Sequence, residues 1–328
     1  MDDALSVLLR DVRPQGALFD QAVLRPPWSL RFEEHNQLVL LTMFSGEAWL
    51  SSDAVGGVTP APVLLRPGDV VIVVGPEPYV ISDDPGTAPL VVVQGTARCT
   101  TPGGALLIDD CPGCRHATGA RDGRGDGCDG EGPQPVALKG TYRVESSVSQ
   151  RVLDALPRFV RVPSPPGGSA TLEMIAEEIH RNTPGQQVVL DRLLELLLVS
   201  SLRAWFELPE ASAPSWYRAY GDPVVSRALK LLHDDPARPW TVAALAATVG
   251  VSRAGLARRF TELMGSPPMA YLTEWRICLA ADLLSRTDDT VEAVSRRVGY
   301  ANAYALSVAF KRTTGVRPTE HRAMSRTS

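Results

Sequence analysis

The 328 residues hold 33 Lys+Arg against 37 Asp+Glu, a formal net charge of −4, with 44% hydrophobic content and five cysteines. That length allows two or more domains, each with its own core. No apolar run has the length of a membrane span, and the opening Met1-Asp2-Asp3 is acidic where a signal peptide is basic, so a cytoplasmic chain with reduced thiols and no membrane partner is expected.

From Trp28 to Gly95 the apolar runs are short and β-rich: Leu38–Leu41, Ala48–Leu50, Val63–Leu65, Val70–Val74 and Leu90–Val93, separated by Gly, Pro and Asp. This punctuation predicts a small antiparallel barrel or sandwich. A Gly/Asp/Arg-rich stretch follows, Pro112 to Pro135, too poor in apolar residues to build a core by itself.

Four of the five cysteines fall within thirty residues, in and just before this stretch: Cys99, the Cys111-Pro-Gly-Cys114 pair followed by Arg115 and His116, and Cys128. A Cys-x-x-Cys pair aims two thiolates at one point. With Cys128 and either Cys99 or His116 it could complete a tetrahedral zinc site, and zinc would explain how so polar a loop becomes ordered. The same thiols could form a reversible disulfide, their thiolates favoured by Arg115 and Arg121. The bland alternative is a set of unconnected loop thiols. We place the redox switch ahead of zinc, because the spacing from Cys114 to Cys128 is acceptable for the metal without being diagnostic. The fifth cysteine, Cys278, sits on the apolar side of a helix and reads as a core thiol.

Helical periodicity then takes over, at Val148–Val160, Thr171–Asn182 and Gln186–Phe206. The last carries Leu190, Leu193, Leu194, Leu197, Leu198, Leu202 and Trp205 in one stripe, widened by Leu196 and Val199. It reads equally as an internal core helix and as the seam of a homodimer, which would suit a reader of paired DNA sites. Residues 208–222, rich in Pro, Ala and Ser, read as a linker.

The last hundred residues state one helical pattern twice, in Thr241–Phe260 and Thr290–Phe310. Each is a short apolar helix, a turn at Gly250 or Gly299, a polar cap at Ser252 or Asn302, and a second helix anchored by Leu256 and Phe260 or by Leu306 and Phe310. This is the helix-turn-helix pattern, whose second helix fits a DNA major groove. Charge agrees: from Asp222 onward there are 15 Lys+Arg against 10 Asp+Glu, leaving 18 and 27 before it, so an acidic body carries a basic tail suited to a polyanion.

With Leu256, Phe260 and Leu263 pointing inward, Arg253, Ala254, Ala257 and Arg258 share the outer face of the first reading helix, with Arg259 on its flank. Arg258 is the candidate for a bidentate contact to guanine, and Arg253 and Arg259 for phosphate contacts. The second unit offers Asn302, Ala303, Tyr304, Ser307 and Val308, then Lys311 and Arg312. Arg317 before Pro318 reads as a phosphate anchor or a helix cap. Any one of these arginines could equally be a solvated surface residue.

Residues 224–324 resemble the DNA-binding domain of the AraC/XylS family of transcription regulators, through Asp235-Pro-Ala-Arg-Pro-Trp240, Gly265-Ser-Pro-Pro-Met-Ala-Tyr271, Val298-Gly-Tyr-Ala301, Phe310-Lys-Arg312 and Gly315-Val-Arg-Pro318. The resemblance implies two helix-turn-helix units joined by one long helix, here Pro268 to Arg286, and a base-reading position at Arg258. It also implies an arginine more often than Val308 at that position, so direct readout by the second unit is expected to be weaker. Leu65-Arg-Pro-Gly-Asp-Val-Val71 is similar to the cupin-type sensor barrel of many family members. Cupin enzymes hold a metal through histidines, but Tyr79 stands where one usually falls and His35 is the barrel region's single histidine, so a metalloenzyme is not expected.

The expected molecule is therefore an α+β two-domain chain: a cupin-like antiparallel β-barrel over 1–140 with a Cys/Gly-rich insertion at about 98–135, a helical dimerisation or packing segment over 141–207, a linker over 208–222, and an all-α DNA-binding domain over 223–328. Its partner is double-stranded promoter DNA, with RNA polymerase as a further one, and its input an oxidant or zinc at the cysteines. The alternatives are a regulator answering to a small organic effector in the barrel and, more remotely, a cupin enzyme fused to a DNA-binding tail.

Overall fold

A computed structural model describes residues 12–20, 26–33, 37–53, 60–94, 98–107, 136–144, 146–181, 183–208 and 214–325. It divides into two compact units, one of residues 12–144 with 156–208 and one of 146–155 with 214–325. The insertion and its Cys111, Cys114, His116 and Cys128, like His35, lie outside the described residues.

The first unit is a pair of sheets. One contains β1 (Val12–Asp20), β10 (Val136–Val144), β3 (Leu38–Ser45), β6 (Val70–Val74) and β11 (Phe159–Val162), in that order and antiparallel throughout. The other runs β5 (Val63–Leu65), β4 (Ala48–Ser52), β7 (Tyr79–Ser82), β2 (Ser29–Phe32), β8 (Val91–Gln94) and β9 (Arg98–Thr100), with β2 and β8 parallel. Alternation sends one set of side chains between the sheets: Phe32, Leu41, Met43, Leu50, Val71, Val73, Tyr79 and Ile81 form that core. β6 is buried on both faces, which is why it reads as an unbroken Val/Ile run.

The Pro67-Gly68-Asp69 corner of the Leu65–Val71 motif has a structural job. Gly68 takes φ +83°, and a Cβ there would stand 2.6 Å from Ser164 Oγ. Asp69 is buried and accepts bonds from the N–H groups of Arg66 (3.2 Å) and Ser164 (2.9 Å) and from Arg161 (2.8 Å). Burial pushes its carboxyl up, but Arg161 and the two amides outweigh that and hold it below the usual carboxylate range. The motif thus pins the chain after β11 to the start of β6.

The helices of this unit are α2 (Ala170–Ile179) and α3 (Gln186–Glu207). The leucine stripe of α3 is internal core. Tyr142 of β10 is buried and donates its hydroxyl to the carbonyl of Leu194 at 2.8 Å, and a Cβ on Gly140 would meet Leu194 at 3.0 Å, so the helix lies directly on the sheet. Leu196 is half exposed together with Val188 and Val189, so the widening of the stripe does not extend the buried face.

Three boundaries differ from the sequence reading. The helix expected over Val148–Val160 is the seven-residue α1 (Ser147–Leu153), and Phe159–Val162 instead pairs with β6, because Pro157 interrupts the helix and Phe-Val-Arg-Val alternates half-buried and buried positions. The expected helical segment over 141–207 accordingly begins inside a strand, and residues 146–155 pack with the second unit. The expected linker is folded over its second half: Ser215–Arg218 is helical (α4), and Asp222 caps the next helix, α5 (Pro223–Asp234), through the N–H groups of Val224 (2.9 Å) and Val225 (3.0 Å).

The second unit continues with α6 (Val242–Val249), α7 (Arg253–Met264), α8 (Pro268–Arg286), α9 (Val291–Arg297), α10 (Ala303–Thr314) and α11 (Pro318–Ser325). No described helix is long and apolar enough to cross a membrane.

Candidate nucleic-acid interface

Each reading helix is started by a side chain and ended by a glycine. Ser252 Oγ accepts from the Gly255 N–H at 3.1 Å and Asn302 Oδ1 from the Ala305 N–H at 2.9 Å, while Gly265 and Gly315 close α7 and α10 with positive φ. The preceding helices start in the same way, at Thr241 and Thr290. Leu245, Leu256 and Phe260 in the first unit and Val294, Leu306 and Phe310 in the second are wholly buried. The two helix-turn-helix units are thus built from equivalent parts at the two ends of α8, whose 19 residues span roughly 28 Å. That length is close to the ~34 Å of one turn of DNA, the separation needed to enter successive major grooves on one face.

The turn between α9 and α10 lies against the loop that joins α5 to α6. Gly299 has φ +84°, and a Cβ there would stand 2.7 Å from the backbone of Ala237. Arg276 on α8 donates to the carbonyls of Pro236 (2.7 Å) and Arg238 (2.8 Å), and burial lowers its guanidinium's pKa. Arg276 and Gly299 therefore hold α8 and the α9–α10 turn against the loop before α6.

On α7, Arg253, Ala254, Arg258 and Arg259 are exposed and Ala257 is half-buried, as the helical period requires. Arg258 pairs with Glu262 one turn on, at 3.2 Å, and Arg259 reaches back to Asp222 at 3.8 Å. On α10, Asn302, Tyr304, Val308, Lys311 and Arg312 are exposed, Tyr304 the most at 79%, while Ala303 and Ser307 are half-buried. Ser307 donates its hydroxyl to the carbonyl of Ala303 at 2.7 Å. Arg317 is exposed, and its N–H donates to Glu320 at 2.8 Å, starting α11. The outer face of α10 and the start of α11 enclose a groove of about 680 Å³, lined by Tyr304, Ser307, Val308, Lys311, Arg312 and Arg317 among others.

Three acidic residues were not singled out from sequence. Glu292 on α9 accepts the Ala303 N–H at 2.8 Å and Arg296 at 3.0 Å, so a carboxylate orders the start of the second reading helix. Those two bonds, the amide first, hold its carboxyl below the usual range. Glu262 and Asp222 restrain Arg258 and Arg259. From sequence, only the i,i+4 spacing of Arg258 with Glu262 and of Glu292 with Arg296 signalled such pairs.

Cys99, on β9, is 1% exposed within the inter-sheet core and is disulfide-bonded. Cys278 is half-buried on α8. Where a cupin metal histidine would fall, the Tyr79 ring stacks on Phe32 at 5.0 Å, and Lys139 of β10 places its ammonium 4.3 Å from the centre of the Phe32 ring.

Residues 3–207 match the family model described as cupin, and 245–324 match that of a helix-turn-helix domain. A putative AraC-like transcription regulator of Streptomyces lividans is 31% identical over 324 residues, 98% of each chain. The chain belongs to the AraC-like family of transcription regulators. A second AraC-like regulator, of Streptomyces antibioticus, is 30% identical over the same share of both chains. Among solved structures, the DNA-binding domain of AdpA in complex with a target DNA is 32% identical, over 32% of this chain and 95% of that one, with a TM-score of 0.31. The stretch that matches the helix-turn-helix model holds both helix-turn-helix units, and both Streptomyces relatives are named transcription regulators.

Proposed function

We propose that this AraC-like regulator reads two successive major-groove segments of a promoter, α7 through hydrogen bonds to bases and α10 through apolar contact with thymine methyls and contacts to the backbone. The observation that carries the reading is the pair of equivalent helices, with exposed basic outer faces, at the ends of one helix about as long as a turn of DNA. In this assignment Arg258 reads guanine, Ala254 and Ala257 leave room for the groove floor, and Arg253 and Arg259 hold phosphates. Asn302, Ala303 and Ser307 are committed in part to bonds within their own unit. Tyr304 and Val308 then supply apolar contact with thymine methyls, and Lys311, Arg312 and Arg317 line a groove for the backbone. Footprinting tests this: two protected major-groove segments one helical turn apart are expected, and a single protected segment would overturn it.

The input is the oxidation state of the cysteine cluster, Cys99, Cys111, Cys114 and Cys128. The reading is supported by the disulfide at Cys99 itself, since a sulfur in a disulfide is not the thiolate that zinc needs. Operator affinity is compared for oxidised, reduced and metal-stripped protein, and for Cys99→Ser. An oxidation-dependent affinity, lost in Cys99→Ser, is expected; loss to a chelator with no response to oxidant would favour zinc instead. The regulator acts in the cytoplasm as a homodimer on paired sites and meets RNA polymerase there. Lys139 favours a second reading, a small organic effector in the barrel with the cysteines incidental, because its buried ammonium and the stacked Phe32 and Tyr79 rings put mixed polar and aromatic groups on the inner face of the sheets.

A further inference from the structure

Residues 146–155 belong to the sensor half by sequence and to the DNA-binding half by packing. They lie between β10 and β11, two strands of one sheet, yet they form part of the compact unit that contains α8. Asp282, near the C-terminal end of α8, accepts the hydroxyl of Ser146 at 2.6 Å and the N–H of Ser147 at 2.7 Å. Ser146 Oγ in turn accepts from the Val148 N–H at 3.1 Å. Ser146, Val148, Ser149 and Leu153 are each no more than 4% exposed, so α1 is seated and not merely touching. A helix of seven residues is far below the length that is stable alone in water, so α1 owes its existence to this docking.

One residue, Glu145, separates the last residue of β10 from Ser146. β10 pairs with β1 and β3, carries the inward Lys139 and is tied to α3 through Tyr142, so it touches both the space between the sheets and the helix outside them. α8, at the other end, carries Arg276 and joins the two readers.

We propose that α1 is the coupling element of this regulator: the state of the sensor sheet sets the seating of α1 on Asp282, and that seating sets the placement of α7 relative to α10 through α8. The coupling is reciprocal, so DNA bound to the readers is felt in β10. The identity of the input rests on the cysteine reading above; the coupling itself does not.

The test uses the full chain and a duplex that the purified protein selects from a random-sequence pool. Amide hydrogen exchange is followed across 136–162, with and without the duplex, in wild type, Asp282→Asn and the milder Ser146→Ala. In wild type the duplex changes exchange in α1 and in β10. In both variants the change persists in α7 and α10 but is lost from β10. In parallel, the ratio of duplex affinities between oxidised and reduced protein, about 5- to 150-fold where two sites are coupled, falls to within about twofold of one in the variants. If the duplex leaves every amide of 136–155 unchanged in wild type, or if Asp282→Asn keeps the full effect in β10, the proposal is wrong. If β10 responds to the duplex while the oxidised-to-reduced ratio in wild type is one, the cysteine reading fails and the coupling stands.

Discussion

Arg258 offers the sharpest test of base reading, because the structure gives both sides of its exchange. In the unbound protein its guanidinium pairs with Glu262 at 3.2 Å, and both side chains are more than half exposed. An exposed i,i+4 pair of this kind stabilises by only about 0.3–0.5 kcal/mol, so it is readily given up for guanine. A bidentate arginine–guanine contact discriminates by about 1–3 kcal/mol, and Arg258→Ala should therefore weaken binding about 5- to 160-fold on the preferred duplex. On a duplex substituted at the contacted base pair the same variant should lose almost nothing. Glu262→Gln should do the opposite, releasing the guanidinium and tightening binding about twofold or more. Fluorescence anisotropy titrations at fixed salt, on the preferred duplex and its single-base variants, measure all of this. Equal losses for Arg258→Ala on every duplex would refute base reading and leave Arg258 a phosphate contact.

Further outcomes follow from the same geometry. Lys311→Ala should weaken all sequences alike and reduce the slope of log affinity against log salt by about 1, seen in a salt titration. Gly299→Ala should destabilise the helical unit by about 2 kcal/mol or more, since it needs both a positive φ and a backbone shift at Ala237. Denaturant melts would show this, and an unchanged midpoint would contradict it. Glu292 has its carboxyl held below its ordinary value of 4.5, so its contribution is present above that value and is lost as pH falls through the lowered one. Exchange at the start of α10 should rise over that acid range, and Glu292→Gln should remove the dependence. Tyr142→Phe leaves the Leu194 carbonyl without its buried donor and should cost about 1–3 kcal/mol of sensor-unit stability by thermal or denaturant unfolding.

The parts of this molecule that follow a period were legible in its residues. Strands β3 to β6 and β8 announce themselves as short apolar runs between turns, and the exposed faces of α7 and α10 follow from the positions of Leu256, Phe260, Leu306 and Phe310. β10 was not legible. Lys139 breaks its alternation because the ammonium turns inward over Phe32, and Gly140 breaks it because Leu194 needs the space. The α3 stripe fitted a core or a seam equally until Tyr142 was seen to bond the helix backbone. The Pro/Ala/Ser content of 208–222 hid a cap at Asp222 and a short helix, for which the Ser-Trp-Tyr-Arg phrase was the available signal. The roles of Glu292, Arg276 and Asp282 depend on partners 11, 40 and 136 residues away, which no local pattern reveals.

Everything returns to whether the paired helices distinguish one DNA sequence from others. The direct measurement is a titration of the full chain against its selected duplex and against random competitor at physiological salt. Binding tighter than to competitor by about 10³-fold or more is the expected result, and equal affinity for the two would contradict the account at its centre.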